Sequence, residues 1–241
     1  GCPFLTRDWS SDRERIRRTF DTLVREGIPV WLVSFAEGTR STPDKLRESA
    51  DADADMVERT AASLELPSEV GSADVRAHAA EQKMSIEDAA RALRYRFLFR
   101  LAREHAAQAV AVGHNADDQV ETVLMHLLRG AGLNGLKGMP YRTVLPQFDP
   151  HIPLVRPLLD IWREDTVMYC AGQGLTPHHD PSNDSLDFLR NRIRHTLIPS
   201  LETYNPKFRE AAWRTARSLM ADHEIVLGVV EATWKQVTLT R

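Results

Sequence analysis

Between His114 and Thr122 the chain crowds four ionisable side chains, His114, Asp117, Asp118 and Glu121, just behind the apolar run Ala109-Val110-Ala111-Val112-Gly113. The run reads as a short buried strand. The residues from Asn115 to about Leu128 have helix periodicity, with Val120, Val123, Leu124 and Leu127 toward the core. Positions 114, 117 or 118, and 121 then share one helical face. Acids and an imidazole are thereby predicted on the first turns of a helix, at the carboxyl end of a strand, where open α/β sheets bind ligands. Unpaired carboxylates this close repel one another, so the pattern calls for a cationic partner: Mg²⁺, an ammonium group or an arginine would each serve. A capped helix start with solvated acids explains one or two such residues. It does not explain a histidine, two adjacent aspartates and a glutamate together.

Other chemistry-bearing groups lie further along. Arg129-Gly130-Ala131-Gly132-Leu133-Asn134-Gly135-Leu136-Lys137-Gly138-Met139 carries four glycines, which predicts a tight loop whose backbone N–H groups can approach a phosphate or simply take positive φ. Arg190, Arg192, Arg194 and His195 offer forks for phosphates, or a solvated helix start paired with Asp184 and Asp187. Arg91 and Arg94 lie one turn apart and could reach an α-phosphate, although solvent-face arginines are the plainer reading. Asp51, Asp53 and Asp55 suit a helix N-terminus better than a metal. No Gly-x-Gly-x-x-Gly and no Gly-x-x-x-x-Gly-Lys-Ser/Thr is present, and His178-His179-Asp180 reads as a turn rather than a metal site.

The elements that must position these residues are set by pattern. Residues 8–26 suit an amphipathic helix, and Val30–Phe35 a buried strand. Helices are predicted over 49–64 and over 85–106. The second of these has Ser85 as N-cap, Asp88 completing a capping-box-like start, and Ala89, Ala92, Leu93, Phe97 and Leu101 as its buried stripe. Proline recurs through 140–157, which predicts extended chain. A helix over 160–173 ends at Gly174, Asp180–Asp184 is a turn, and a last helical region runs from about 206 to 235. Strand alternating with helix predicts an α/β fold, a parallel-sheet three-layer domain, with a smaller all-α unit behind it. The 241 residues, 27% charged and 42% hydrophobic, have an ordinary globular balance. A formal net charge of −3 gives no global attraction to nucleic acid, so RNA contact needs a local basic patch. Cys2 and Cys170 fit no metal spacing and read as reduced thiols of a cytoplasmic protein. No membrane span and no signal peptide are expected. The first residue is not Met, as in a fragment or a processed product.

These blocks resemble one family in their order. Leu46-Arg47-Glu48-Ser49-Ala50-Asp51 comes first, then Glu87-x-Ala89-Ala90-Arg91-x-x-Arg94-Tyr95-Arg96-Phe97, and then His114-x-x-Asp117-Asp118-Gln119-x-Glu121-Thr122. Leu127–Met139 with its glycines is next, then Arg156-Pro157-Leu158-Leu159, Asp180-Pro181-Ser182-Asn183, Phe188-x-Arg190-Asn191-Arg192-Ile193-Arg194-His195 and Tyr204-Asn205-Pro206. From about 46 to 217 the chain resembles the tRNA(Ile)-lysidine synthases, which are N-type ATP pyrophosphatases. The resemblance implies an incomplete adenine nucleotide alpha hydrolase-like fold over 47–158 and a helical tRNA-contacting unit over 159–241. It implies that ATP adenylates the wobble cytidine of tRNA(Ile) and that free lysine displaces AMP. Asp117, Asp118, Glu121 and His114 would be catalytic, with Asp117 and Asp118 as Mg²⁺ ligands. Arg91, Arg94 and Gly113 would bind ATP, and Arg129, Lys137, Arg190, Arg192, Arg194 and His195 would bind tRNA. A homodimer is left open.

The likeness has one gap. Members of that family begin with a strand and a Ser-Gly-Gly-x-Asp-Ser loop that holds pyrophosphate, and the 241 residues contain no such motif. Ser34–Ser41 has a single glycine, and Glu37 sets negative charge where phosphate would lie. Impaired or absent turnover is therefore expected, with a non-catalytic tRNA-binding remnant as the alternative. Residues 1–46 instead resemble 1-acyl-glycerol-3-phosphate acyltransferases. Phe4-Leu5-x-Arg7-x-Trp9 and Trp31-Leu32-x-x-Phe35-x-Glu37-Gly38-Thr39-Arg40 carry the likeness, which implies a phosphate contact at Glu37, Gly38, Thr39 and Arg40. The Asn-His-x-x-x-x-Asp box of that family is absent, so an acyltransferase fragment without activity is the third expectation, and the sequence reads as a junction near Lys45–Glu48.

Overall fold

A computed structural model of the chain describes residues 55–63, 65–172, 174 and 185–238. The helix and strand expected over 8–35, the Glu37–Arg40 contact, the Lys45–Glu48 junction and the Asp180–Asp184 turn lie outside the described residues. Of the Asp51, Asp53 and Asp55 repeat, Asp55 is described. It accepts a hydrogen bond from Arg59 Nη2 at 3.1 Å, on the surface of a helical stretch at 55–63.

The helices start where capping chemistry satisfies their first free N–H groups. Helix α1 (Val75–Gln82), which the pattern did not predict, has Asp74 as N-cap, its side chain accepting from Ala77 N. Helix α2 (Ile86–Glu104) opens on Ser85 as expected: Asp88 N donates to Ser85 Oγ at 3.0 Å, and Ser85 Oγ donates to Asp88 Oδ2 at 2.7 Å. The buried face of α2 is not the expected one. Ala89 and Leu101 are buried, but Ala92, Leu93 and Phe97 are half-buried, and Tyr95, Leu98, Phe99 and Ala102 carry the core. The phase obeys the aromatic packing, since Phe99 stacks on Phe148 at 5.8 Å and Tyr95 meets the same ring edge-on at 5.5 Å.

Strand β1 (Val110–Ala111) leads into helix α3 (Ala116–Leu128), then the single turn α4 (Leu133–Leu136). The extended stretch predicted at 140–157 forms β2 (Arg142–Leu145) and β3 (Asp149–Val155). The sheet order is β1-β3-β2. The tight connection at 146–148 makes β2 and β3 an antiparallel hairpin, a detail that strand–helix alternation did not indicate. Asp149 turns the chain into β3 by accepting from His151 N and Ile152 N, each at 2.8 Å. These backbone donors, with Arg103 beside them, hold its carboxyl below the usual range.

Helix α5 (Arg163–Gly172) has Gly174 behind it at φ +70°, as expected. A continuous helical run then comprises α6 (Leu189–Arg192), a π-helical turn (Ile193–Leu197) and α7 (Ile198–Tyr204). Pro199 explains the π turn. It has no N–H to donate, and its ring crowds the carbonyl four residues back, so the chain widens and Ile198 N bonds Ile193 O. Helix α8 (Phe208–Thr238) is 31 residues long.

Among the described residues two compact units result, one of residues up to Val110 together with Val144–Leu154, the other of Ala111–Thr143 together with the residues from Val155 onward. Helix α3 groups with the C-terminal helices. The core of the second unit is Val120, Leu124, Ile193 and Ile198, flanked by Met125, Trp162 and Trp213 among others. Leu127, expected in that core, is exposed. Among the described residues no helix is long and apolar enough to cross a membrane.

Candidate active site

The acidic segment sits where the spacing puts it. Gly113 and the half-buried His114 leave β1, and Asn115 caps α3. Asn115 Oδ1 accepts from Asp118 N at 3.0 Å, while Asp118 Oδ2 accepts from Asn115 N at 2.9 Å. This reciprocal capping box commits half of the Asp118 carboxylate to building the helix. Asp117 points elsewhere: its Oδ2 accepts from Arg163 N at 2.8 Å and its Oδ1 from Arg209 Nη1 at 3.2 Å. Glu121, one turn on, is 1% exposed.

A carboxylate so deeply placed needs cationic partners, and arginines supply them. Arg194, on the π turn, donates from Nε to Glu121 Oε1 at 2.6 Å and from Nη2 to Oε2 at 3.1 Å, a two-pronged fork. The same guanidinium lies 3.7 Å from Asp118 Oδ1. Arg190 Nε approaches Glu121 Oε2 to 3.3 Å without hydrogen-bond geometry, and its Nη2 reaches Thr122 Oγ1 at 3.5 Å. Burial pushes the Glu121 carboxyl upward, against the arginines that lower it. Burial also works to lower Arg194, but the hydrogen bonds and charge of Glu121 outweigh it and raise that guanidinium. Arg209 is raised as well: its bonds to Glu202, at 2.6 Å, and to Asp117 overcome its partial burial.

Of the three cations offered by the sequence, arginine therefore fills the cluster. Both Asp117 oxygens and one Asp118 oxygen already accept hydrogen bonds, and Mg²⁺ asks for close octahedral oxygen ligands. Among the described residues no group of three or more His, Cys, Asp or Glu side chains could hold a metal ion. The arrangement as it stands does not fit Mg²⁺ at Asp117 and Asp118. Nor is the start of α3 an open phosphate cradle, since Ala116 N bonds Ile161 O at 2.9 Å and Asp118 N is capped. Gly113 leaves room for a close approach, because a Cβ there would meet nothing within 4 Å.

The expected RNA contacts divide into two groups. Arg190 and Arg194 are bound to Glu121 rather than to Asp187, which instead takes the hydroxyl of Ser185 at 3.0 Å. Lys137 Nζ lies 3.3 Å from His223 Nδ1 on α8. Arg129, Arg192 and His195 are exposed. In the other unit, Arg91 is exposed with its guanidinium 5.4 Å from the Tyr95 ring centre, and Arg94 is half-buried.

Three further residues shape this region, of which Arg209 alone went unremarked in the sequence. Gln119, 1% exposed, donates to Met139 O at 3.1 Å and accepts from Met139 N at 2.7 Å, which clamps the glycine-rich segment to α3. Gly138 permits the clamp: its φ is +68°, and a Cβ would come within 2.7 Å of the Gln119 amide. Arg209 joins Asp117 to Glu202. A polar residue at a core phase of α3 was the one available signal for Gln119, and nothing local marked Arg209.

A family model described as a PP-loop domain matches residues 42–201. The chain is 44% identical over 183 residues to a tRNA(Ile)-lysidine synthase of Dehalococcoides mccartyi, covering 75% of this chain and 38% of that protein. It is 41% identical over 170 residues to a tRNA(Ile)-lysidine synthase of Porphyromonas gingivalis, covering 70% of this chain and 36% of that protein. The chain thus spans less than two fifths of the length of these relatives. Among solved structures it is similar to the U34-tRNA thiolase NcsA of Methanococcus maripaludis, with a TM-score of 0.57 over 77% of this chain and 60% of that one. At 17% identity that likeness speaks for the fold alone.

Proposed function

The chain belongs to the PP-loop domain family, and on that premise we propose that it carries the lysine-transfer part of a tRNA(Ile)-lysidine synthase-like ligase. The observation that carries the reading is Glu121, a carboxylate almost wholly buried at the ligand-binding end of a strand and surrounded by groups that move its proton affinity both ways. In the proposed reaction the carbonyl oxygen of the wobble cytidine attacks the α-phosphorus of ATP, and pyrophosphate leaves. The amino group of lysine then adds at the activated carbon, and AMP leaves.

Each residue's role comes from its chemistry. Ammonium must lose a proton before it can attack, and a buried carboxyl pushed upward accepts a proton more readily than an exposed one. Glu121 is assigned that step, with Asp117, Asp118 and His114 completing the catalytic group. Gly113 leaves space beside the strand end for a nucleotide, with Arg91 and Arg94 assigned to its phosphates. Arg129, Lys137, Arg190, Arg192, Arg194 and His195 are assigned to tRNA, chiefly through its backbone. Mg²⁺ has no step here.

The motif that the 241 residues lack supplies the test. Lysine- and tRNA-dependent AMP release should be near background for this chain by itself. Fusing a strand and Ser-Gly-Gly-x-Asp-Ser loop ahead of Leu46 should raise release, and adding Glu121→Gln to that fusion should abolish it. Tight, salt-dependent tRNA binding with no AMP release from the fusion would overturn catalysis and leave a tRNA-binding remnant.

A further inference from the structure

The sequence offers its acids to a cation and its arginines to phosphate, yet the two sets of groups occupy each other. Glu121 holds Arg194 through two hydrogen bonds of 2.6 and 3.1 Å and has Arg190 at 3.3 Å, while Asp118 stands 3.7 Å from Arg194. A cation cannot reach Glu121 with the guanidinium fork in place. Nor can a phosphate take the same Arg194 nitrogens while they face Glu121.

We propose that Arg190 and Arg194 are an exchangeable lock, closing Glu121 and Asp118 to cationic ligands until an RNA phosphate draws the arginines away. This rests on the tRNA and lysine assignments made above and adds an order to them, RNA first and amine second. Arg194 is then a specificity-determining residue, because it excludes a free amine from the acids when no RNA is present.

The mechanical basis is the π turn. Arg194 lies inside Ile193–Leu197, where Pro199 breaks the regular ladder, and π turns of this kind concentrate at functional sites. The guanidinium is one-fifth exposed, so solvent and a phosphate can reach it from its open side, whereas the Glu121 carboxylate is sealed beneath it. Removing both arginines would strand a buried negative charge, which is costly unless another cation replaces them. Phosphate uptake and cation uptake therefore reinforce each other, and the coupling is reciprocal.

The lock makes an unusual prediction for a carboxylate within an RNA-binding region. Glu121→Gln removes the charge that competes with phosphate, so the full chain should bind a mixed-sequence single-stranded RNA oligonucleotide more tightly, by about tenfold at low salt. Its salt dependence should steepen by about one phosphate contact, roughly 0.7 in the slope of log K against log salt for single strands. If Glu121 only props the arginines in a phosphate-binding pose, the same change leaves affinity unaltered or lowers it, and the lock is refuted. Where Glu121→Gln fails to fold, Arg194→Lys serves instead. It keeps the charge but loses the fork, so the lock predicts tighter RNA binding and the prop predicts weaker or unaltered binding. Neither readout involves turnover, so the lock can stand while the ligase reading fails, and the reverse also holds.

Discussion

Burial and charge pull the Glu121 carboxyl in opposite directions. Desolvation raises its affinity for a proton, Arg194 and Arg190 lower it, and the balance lies on the raised side of the ordinary value of 4.5. The consequence for stability has a definite sign. Below about pH 4.5 the carboxyl is protonated in both folded and unfolded chains, and it contributes no difference. Above that value the unfolded chain gives up the proton first, so the unfolded state gains and stability falls as pH climbs toward the folded value. Glu121→Gln, which cannot ionise, removes that slope and leaves a constant offset from the unpaired guanidinium groups. Urea midpoints of the natural chain and the variant, measured between pH 4 and 8, should therefore differ by an amount that shifts in the variant's favour as pH rises from 4.5. A difference constant across that range would show that the arginines hold the carboxyl at its ordinary value.

Above single residues, the loop after α3 owes its shape to a glycine and a buried amide. Gly130 and Gly138 both have positive φ, +74° and +68°. Only Gly138 faces a neighbour, however, since a Cβ at Gly130 would meet nothing within 4 Å. Alanine at either position should cost about 1 kcal/mol for the left-handed backbone. Gly138→Ala should cost about 2 kcal/mol more, because the methyl group forces the Gln119 amide off Met139 and leaves buried polar groups unmet. Equal losses in urea denaturation would show that the clamp contributes nothing. How much of this was legible in the sequence depends on the range of the interaction. The cap at Ser85, the helix of α3 and the glycine stop after α5 are local, and their residue types and spacing announce them. The phase of the α2 stripe was not local, because Phe148, far along the chain, chooses which aromatic of α2 is buried. Nor were the partners of the acids legible. Arg194 lies 73 residues beyond Glu121 and Arg209 lies 92 beyond Asp117. Composition could state that a cation was required there, but not which one.

At the scale of the whole molecule, 31 basic and 34 acidic side chains leave a formal charge of −3, so no long-range field draws in an RNA. On the proposed tRNA reading, binding comes from cations that local acids have not already neutralised. The structure sorts them. Arg190, Arg194 and Arg209 are spent on carboxylates, and Lys137 is drawn toward His223. Arg129, at the C-terminal end of α3, and Arg192, on the exposed side of α6, remain open to solvent. An exposed arginine that meets a phosphate contributes to affinity and to salt dependence alike, whereas one held by a carboxylate contributes little until the pair breaks. Arg129→Ala with Arg192→Ala should therefore weaken tRNA binding across all sequences and flatten the plot of log K against log salt by about 1.4, taking roughly 0.7 for each single-strand phosphate contact. Arg209→Ala, which frees no phosphate ligand, should leave that slope unchanged while lowering the denaturation midpoint. Filter binding over a series of salt concentrations separates the two. A slope altered by Arg209→Ala and untouched by the paired substitution would place the RNA surface on the other side of the acidic cluster.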